Sequence, residues 1–194
     1  MIYLILGHSG SGKSTIRDIL TSHGLKKIVT YTTREPRPNE IDGVDYNFIS
    51  LENFQKFENK NLFIGTTCYA GNFYSTLKKD LEENNNKNKN CIIIVDKEGV
   101  IEIKKYFPNA ISIYLKCSKE ILIARMKKRR DSKKEIEKRI SVMEDLDDYA
   151  DYIVDGSKNI DLVLEDFLKI IKNSHKNFDW QILDKCFLSD IINL

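Results

Sequence analysis

The chain has 194 residues, with 31 Lys and Arg against 29 Asp and Glu, so its formal net charge is +2. This length suits one domain with an insertion or a short tail, and the near-neutral charge argues against a generally basic nucleic-acid binder. No apolar run reaches the roughly 20 residues that span a bilayer, and the N-terminus lacks the basic start of a signal peptide. The cysteines (68, 91, 117 and 186) have no metal-binding or redox spacing, which predicts reduced thiols in a cytoplasmic protein.

Buried strands and helices alternate along the predicted chain. Short, β-branched apolar runs predict strands at 2–6, 28–30, 91–95, 110–115 and 152–154. Apolar residues at one-face spacing predict helices at 14–24, 75–83, 97–106, 118–126, 135–149 and 162–171. Between 44 and 74, aromatic β segments around a small helix predict an inserted, mostly antiparallel lobe. Together these elements predict an α/β fold with a parallel sheet flanked by helices.

A glycine-rich segment follows the first predicted strand. It reads GHSGSGKS from Gly7 and fits G-x-x-x-x-G-K-[ST] at every fixed position, between a strand and a helix. Its backbone N–H groups and the helix N-terminus suit phosphate oxygens. Lys13 would neutralise the β- and γ-phosphates, and the Ser14 hydroxyl would ligate Mg²⁺. We therefore expect the chain to bind a nucleoside triphosphate with Mg²⁺, and a mere helix-capping turn is the weaker alternative.

A phosphate loop alone leaves a GTPase, a motor ATPase and a small-molecule kinase open, so the acceptor side must decide. Arg34 and Arg37 lie in the proline-stiffened segment TYTTREPRP, where they could clamp one phosphate through bidentate hydrogen bonds. Tyr46 and Tyr74 offer hydroxyls that suit a phosphate without adding charge, with core packing as the alternative for such residues. These side chains indicate a phosphorylated acceptor.

The string TYTTREPRPNEIDGVDYNF, after the loop GHSGSGKST, closely resembles the guanylate kinase family, and the likeness runs from Ile2 to about Ile171. The resemblance implies a P-loop NTPase-type core at 1–30, 91–125 and 140–173, an acceptor lobe at 31–90 and a helical lid at 126–139. Residues 174–194 would form a helical C-terminal extension. It also implies transfer of the ATP γ-phosphate to GMP with Mg²⁺, with no nucleic-acid or membrane partner. Whether the protein is a monomer or a homodimer stays open.

The resemblance also assigns roles to individual positions. The ATP-binding set is Gly10, Ser11, Gly12, Lys13, Ser14 and Thr15, with Asp155 and Gly156 near the adenine. The acceptor-binding set is Thr30, Arg34, Arg37, Tyr46, Tyr74, Thr76 and Asp96. The catalytic set is Lys13, Arg37, Arg129 and Arg139. Because the lid segment is one residue shorter than usual, Arg130 could take the place of Arg129.

Two positions depart from the family pattern. Gly65 stands where the family usually has a glutamate that accepts hydrogen bonds from guanine, and Ile94 replaces an aspartate expected near Mg²⁺. Losing a charged acceptor predicts weaker discrimination of guanine, which a glutamate restored at position 65 would strengthen. Two alternatives follow. One is a related phosphotransferase acting on another nucleotide or a small phosphorylated acceptor, and the other is a nucleotide-binding module without turnover.

Overall fold

The computed structural model describes residues 1–38, 40–69, 71–86 and 90–174. They divide into two compact units, of which the first comprises residues 1–4 and 26–111. The second comprises residues 5–25 and those from 112 to the end of the described chain. Within these ranges no helix is both long enough and apolar enough to cross a membrane.

The described residues form short strands and mostly nine- or ten-residue helices. The strands are β1 (Ile2–Leu6), β2 (Lys26–Lys27), β3 (Tyr31–Thr32), β4 (Asn47–Phe48), β5 (Phe63–Tyr69), β6 (Asn72–Leu77), β7 (Cys91–Ile94), β8 (Ile111–Lys116) and β9 (Tyr152–Asp155). The α-helices are α1 (Lys13–Ser22), α2 (Leu51–Asn59), α3 (Lys78–Asn86), α4 (Lys97–Tyr106), α5 (Lys119–Lys128), α6 (Lys133–Ser141) and α7 (Ile160–Ser174). A short 3-10 helix covers Asp147–Tyr149.

Strand β1 contributes to both units and is buried at every residue. In the first unit the strand order is β2-β7-β1, and in the second it is β1-β8-β9. The pairs β2/β7 and β8/β9 are parallel. Because a strand buried on both faces must be apolar at successive positions, the run IYLIL suits this place. The expected α/β class, a mostly parallel sheet flanked by helices, is confirmed.

The predicted insertion is a second sheet within the first unit, in the order β4-β3-β6-β5. Strand β6 is antiparallel to both β3 and β5, whereas β3 and β4 are parallel. Aromatic rings pack beside this sheet: Phe54 lies 4.7 Å from Phe63 and 5.5 Å from Phe73 between ring centroids. Tilted ring pairs at these distances add to the stabilisation from burial.

In the second unit, a small apolar core holds α5 and α6 together. It consists of Cys117, Leu122, Met126 and Ile136. Side-chain caps define where both helices begin. Ser118 caps α5, and Ser132 caps α6 in a reciprocal capping box with Glu135. These caps satisfy N–H groups that have no partner within the helix.

Three predicted elements differ from the structure. Residues 28–30 lie outside the assigned strands, although the Ile28 N–H still bonds the Ile92 carbonyl at 3.1 Å. Ser75 belongs to β6, and α3 begins only at Lys78. A helix was predicted over 135–149, but α6 ends at Ser141. Met143 lies beyond that end and still packs against the apolar core, so its spacing resembles that of a longer helix. The predicted extension 174–194 lies outside the described residues, except for Ser174 at the end of α7.

Candidate active site

The phosphate loop lies in the second unit, between β1 and α1. The Lys13 Nζ donates to the carbonyl oxygens of Gly7 at 2.6 Å and His8 at 2.9 Å. Burial, together with the positive charge of Arg129, lowers the pKa of Lys13 to about 8. A bound anion would favour the charged amine again, because opposite charges raise the pKa of a lysine. The geometry therefore holds a cation ready for phosphate oxygens.

Glycine is required within the loop by close packing. Gly10 has a φ of 89°, and a Cβ there would lie 3.1 Å from the Leu122 carbonyl oxygen. Ser11 is buried, and no described residue bonds its hydroxyl. Its carbonyl oxygen accepts from Arg125 at 3.1 Å. The Ser11 backbone, and not its hydroxyl, is therefore the part that shapes the loop.

Arg125 joins the loop to the segment predicted near the adenine. Its guanidinium donates to the carbonyl oxygens of Ser11 at 3.1 Å and Gly156 at 2.9 Å. Next to Gly156, the Asp155 carboxylate accepts from the Ser157 hydroxyl and backbone N–H, and these bonds lower the pKa of Asp155. Arg125 thus braces two predicted ATP-binding segments against each other within one unit.

Two arginines converge on the hydroxyl of Ser9. Arg139 Nη1 donates to Ser9 Oγ at 2.8 Å, and Arg129 Nη2 donates to the same atom at 3.1 Å. Both arginines also donate to the Asp131 carboxylate. Arg130 is exposed and has a φ of 66°. The geometry therefore puts Arg129 at the phosphate loop and leaves Arg130 at the helix end.

The Mg²⁺ that the resemblance implies would need oxygen donors near the phosphate loop. Ser14 is exposed in the first turn of α1, and among the described residues none hydrogen-bonds its hydroxyl. Mg²⁺ is commonly held by one or two protein oxygens together with substrate phosphates and waters. In the described part of the chain, no cluster of three or more His, Cys, Asp or Glu could hold a metal. A hydroxyl at the loop with phosphates completing the shell fits this ion.

The two arginines predicted to bind the acceptor phosphate, Arg34 and Arg37, lie in the first unit. Arg34 Nη2 lies 2.9 Å from each carboxylate oxygen of Glu40, and its guanidinium lies 5.4 Å from the Tyr46 ring centroid. Tyr46 and Tyr74 rings are 6.0 Å apart. The Arg37 backbone N–H also donates to Glu40 at 2.7 Å, while its guanidinium is exposed and bonded by no described residue. One arginine is thus anchored and the other is available for an anion.

The remaining predicted acceptor residues are Thr30, Thr76 and Asp96. Thr76 is buried and pairs with Ile64, and Thr30 is half-buried. Asp96 Oδ1 caps α4 by accepting from the Gly99 N–H at 2.9 Å. All predicted acceptor residues therefore lie in the first unit, and all predicted ATP-binding residues lie in the second.

Gly65 lies in a left-handed and closely packed part of the backbone. It has a φ of 68°, and a Cβ there would lie 3.3 Å from Gly99 Cα. A glutamate restored at this position would be strained and would meet the backbone of α4. The gain in guanine preference expected from Gly65→Glu stays a prediction, and this tight packing adds an energetic cost to that substitution.

Sequence reasoning missed several partners of the predicted residues, namely Ser9, Glu40, Glu102 and Asp131. Glu40 lies three residues after Arg37, which was a usable local signal. Glu102 accepts a hydrogen bond from the Gly65 N–H at 2.7 Å, from 37 residues away. No spacing in the sequence points to that contact.

Comparisons with known proteins identify the family. The guanylate kinase family model matches residues 1–174. The guanylate kinase of Nitrosospira multiformis is 32% identical over 178 residues, covering 88% of this chain and 84% of that protein. The guanylate kinase of Fusobacterium nucleatum is 32% identical over 180 residues, covering 90% and 97%. A crystal structure of guanylate kinase from Anaplasma phagocytophilum has a TM-score of 0.72 and 25% identity, covering 91% of this chain and 87% of that one. On these matches, the chain belongs to the guanylate kinase family.

Proposed function

We propose that this chain transfers the γ-phosphoryl group of ATP to GMP, producing ADP and GDP. Membership of the guanylate kinase family makes it an ATP-dependent phosphotransferase. The observation that carries the proposal is the convergence of Arg129 and Arg139 on Ser9 of the phosphate loop. Positive charge concentrated there serves a phosphoryl group whose oxygens gain charge during transfer.

On the donor side, the loop and the start of α1 bind the ATP phosphates. The residues are Gly10, Ser11, Gly12, Lys13, Ser14 and Thr15, with Asp155 and Gly156 beside the adenine. Ser14 holds Mg²⁺ together with the phosphates. When bound, this ion neutralises charge on the β- and γ-phosphate oxygens. Lys13, Arg129 and Arg139 supply the protein's own positive charge.

On the acceptor side, Arg34, Arg37, Tyr46 and Tyr74 bind the phosphate of GMP. Support comes from the exposed guanidinium of Arg37 and from the Glu40 carboxylate that fixes Arg34. Charge-assisted hydrogen bonds from arginine suit a phosphate in geometry and in energy. The base side of the acceptor site is formed by Thr30, Thr76 and Asp96.

The reaction needs little covalent chemistry from the protein. A phosphate oxygen of GMP attacks the γ-phosphorus, the bond to the β–γ bridging oxygen breaks, and its electron pair leaves with ADP. No general base is required, because the attacking oxygen is already ionised. Catalysis consists of positioning and of neutralising the charge that spreads over the transferred oxygens.

We also propose that the chain is divided into an acceptor lobe, a lid and a core. The acceptor lobe covers 31–90, the lid covers 126–139, and the remaining residues to 173 form the core. The free thiols of Cys68, Cys91 and Cys117 support a cytoplasmic location, since disulfides are rare there. The protein works as a monomer or a homodimer.

The test is coupled ADP release at fixed Mg-ATP with GMP, AMP, CMP, UMP and a phosphorylated sugar, with GDP identified by ³¹P NMR. We expect turnover with GMP above every other acceptor, and loss of turnover in Lys13→Ala with its circular dichroism spectrum unchanged. Higher turnover of another acceptor would contradict the assignment of GMP. Near-normal turnover in Lys13→Ala would contradict the role of the phosphate loop.

A further inference from the structure

The strand pair β5/β6 contains a bulge beside the acceptor residues. Ile64 pairs with Thr76 and Thr67 pairs with Tyr74, so Gly65 and Thr66 both lie opposite Ser75. A glycine in the left-handed region at the first bulged position is a recurrent way to build such a bulge. The φ of 68° at Gly65 fits this pattern. The bulge therefore re-aims the backbone N–H of Gly65 away from the regular ladder.

That N–H meets a carboxylate from another element. Glu102, on α4, accepts from the Gly65 N–H through Oε2 at 2.7 Å. Glu102 is half-buried, and no other described residue is hydrogen-bonded to its carboxylate. A bulged amide and a helical carboxylate thus fix each other, and the second carboxylate oxygen keeps its capacity to accept.

The Glu102 carboxylate is held close to Thr76, which is assigned to the base side of the acceptor site. Helical side chains lean toward the helix N-terminus, and in α4 that end is capped by Asp96. Gly65 directly follows Ile64, the cross-strand partner of Thr76. Consecutive Cα atoms are about 3.8 Å apart, and directly paired Cα atoms are about 4.5–5.5 Å apart. Glu102 is therefore anchored one residue from the pair that contains Thr76.

The chemistry of the base selects a carboxylate at this place. Guanine carries two adjacent donors, N1–H and the 2-amino group, whereas adenine presents a lone pair at N1. An ionised carboxylate only accepts hydrogen bonds, so it attracts the guanine edge and repels the corresponding edge of adenine. A base that leaves a buried acceptor unpaired is strongly rejected.

We propose that Glu102 is the residue that reads guanine in this chain, held in place by the Gly65 N–H. This deepens the proposed function and rests on it for the identity of the acceptor. This role also explains why β5 has a glycine in the left-handed region. The carboxylate belongs to α4, and the strand contributes only the backbone N–H of Gly65, which needs no side chain. Glu102 is thus a specificity-determining residue.

The test compares Glu102→Gln with wild type and with Glu98→Gln. In Glu102→Gln the amide oxygen can still accept the hydrogen bond from the Gly65 N–H. The amide NH₂ group takes the place of the second carboxylate oxygen, and as a donor it opposes guanine N1–H and suits adenine N1. Glu98 lies one helical turn earlier, is exposed, and lies 3.7 Å from Lys97 in an ion pair. It is a matched control because the same charge is removed from the same helix.

We expect calorimetric binding of GMP to weaken about ten- to a hundredfold in Glu102→Gln, with AMP binding unchanged or stronger. Glu98→Gln should leave the GMP-to-AMP ratio unchanged. An unchanged ratio in Glu102→Gln, or an equal loss for GMP and AMP, would overturn the proposal. Because the readout is binding, absence of ADP release by the wild type would contradict the proposed function separately.

A second measurement needs no variant. In the wild-type protein, the amide signal of Gly65 reports the hydrogen bond to Glu102. We expect its NMR chemical shift to change when GMP binds, because the carboxylate is then shared with the base, and to stay unchanged with AMP. A Gly65 signal that does not respond to GMP would overturn the proposal even if the variant failed to fold.

Discussion

Arg139 donates a hydrogen bond to Ser9 Oγ at 2.8 Å, across 130 residues of sequence. The same guanidinium lies 2.8 Å from Asp131 Oδ2, and both of those side chains are largely buried. Asp131 also accepts from Arg129 Nε at 2.9 Å. The carboxylate of Asp131 therefore occupies arginine donors that a phosphate would use.

Asp131→Asn should destabilise the unliganded protein by about 2 kcal/mol, because it removes the charge that pairs with Arg129 and Arg139. Mg-ATP should then raise Tm more in the variant than in the wild type, since its phosphates replace the missing charge. Thermal unfolding with and without Mg-ATP measures both effects. The control is Glu137→Gln, which removes a carboxylate from an exposed ion pair with Lys133 within α6. An equal ATP-induced rise in both proteins would show that Asp131 does not compete with phosphate.

Lys13 predicts a pH dependence of ATP binding. Its pKa is lowered to about 8 in the unliganded protein, from an ordinary 10.5. Above that lowered pKa the amine is neutral, so binding ATP must take up a proton. ATP affinity should therefore fall as pH rises above 8, by up to about tenfold per pH unit. Between the two pKa values the unfolded chain binds more protons, so stability of the unliganded protein should rise with pH.

Titration calorimetry of ATP at several pH values checks this expectation. Lys13→Arg is the control, because its guanidinium stays charged throughout and should remove the slope. An ATP affinity of the wild type that is constant across this range would contradict the assigned role of Lys13.

Arg129 and Arg130 should behave differently although they are adjacent. Arg129→Ala should lower kcat by about a hundredfold or more, because it removes a cation from the phosphate loop. Arg130→Gly should leave kcat unchanged and stabilise the protein by up to about 1 kcal/mol, since a left-handed φ is unfavourable for arginine. Steady-state kinetics and urea unfolding measure the pair. A larger loss of kcat in Arg130→Gly than in Arg129→Ala would reverse the assignment.

Arg37→Ala should impair the use of GMP and leave the binding of ATP nearly unchanged. Its exposed guanidinium is assigned to the GMP phosphate, so kcat/KM for GMP should fall about ten- to a hundredfold. The KM for ATP should stay within about twofold of the wild-type value. Lys79→Ala removes an exposed charge from the same unit and is the control. If ATP affinity collapsed instead, the acceptor phosphate would be bound elsewhere.

The sequence by itself determined the features whose signals are local. The phosphate loop could be identified from consecutive residues, because its backbone donors, Lys13 and Ser14 belong to one turn of chain. Helix α4 was predicted with its observed bounds, Lys97–Tyr106. Apolar spacing and capping residues act over one or two helical turns, so they can be seen without a structure.

Only the tertiary structure decided which distant residues complete each site. Gly65 and Glu102 are 37 residues apart, and Ser9 and Arg139 are 130 apart, yet each pair shares a hydrogen bond. Such partners meet because whole elements pack together, and no periodicity along the chain encodes the meeting. The left-handed backbone at Gly65 depends on the bulge between β5 and β6. The sequence could therefore show that a glutamate was missing, while packing alone showed which carboxylate lies beside that position.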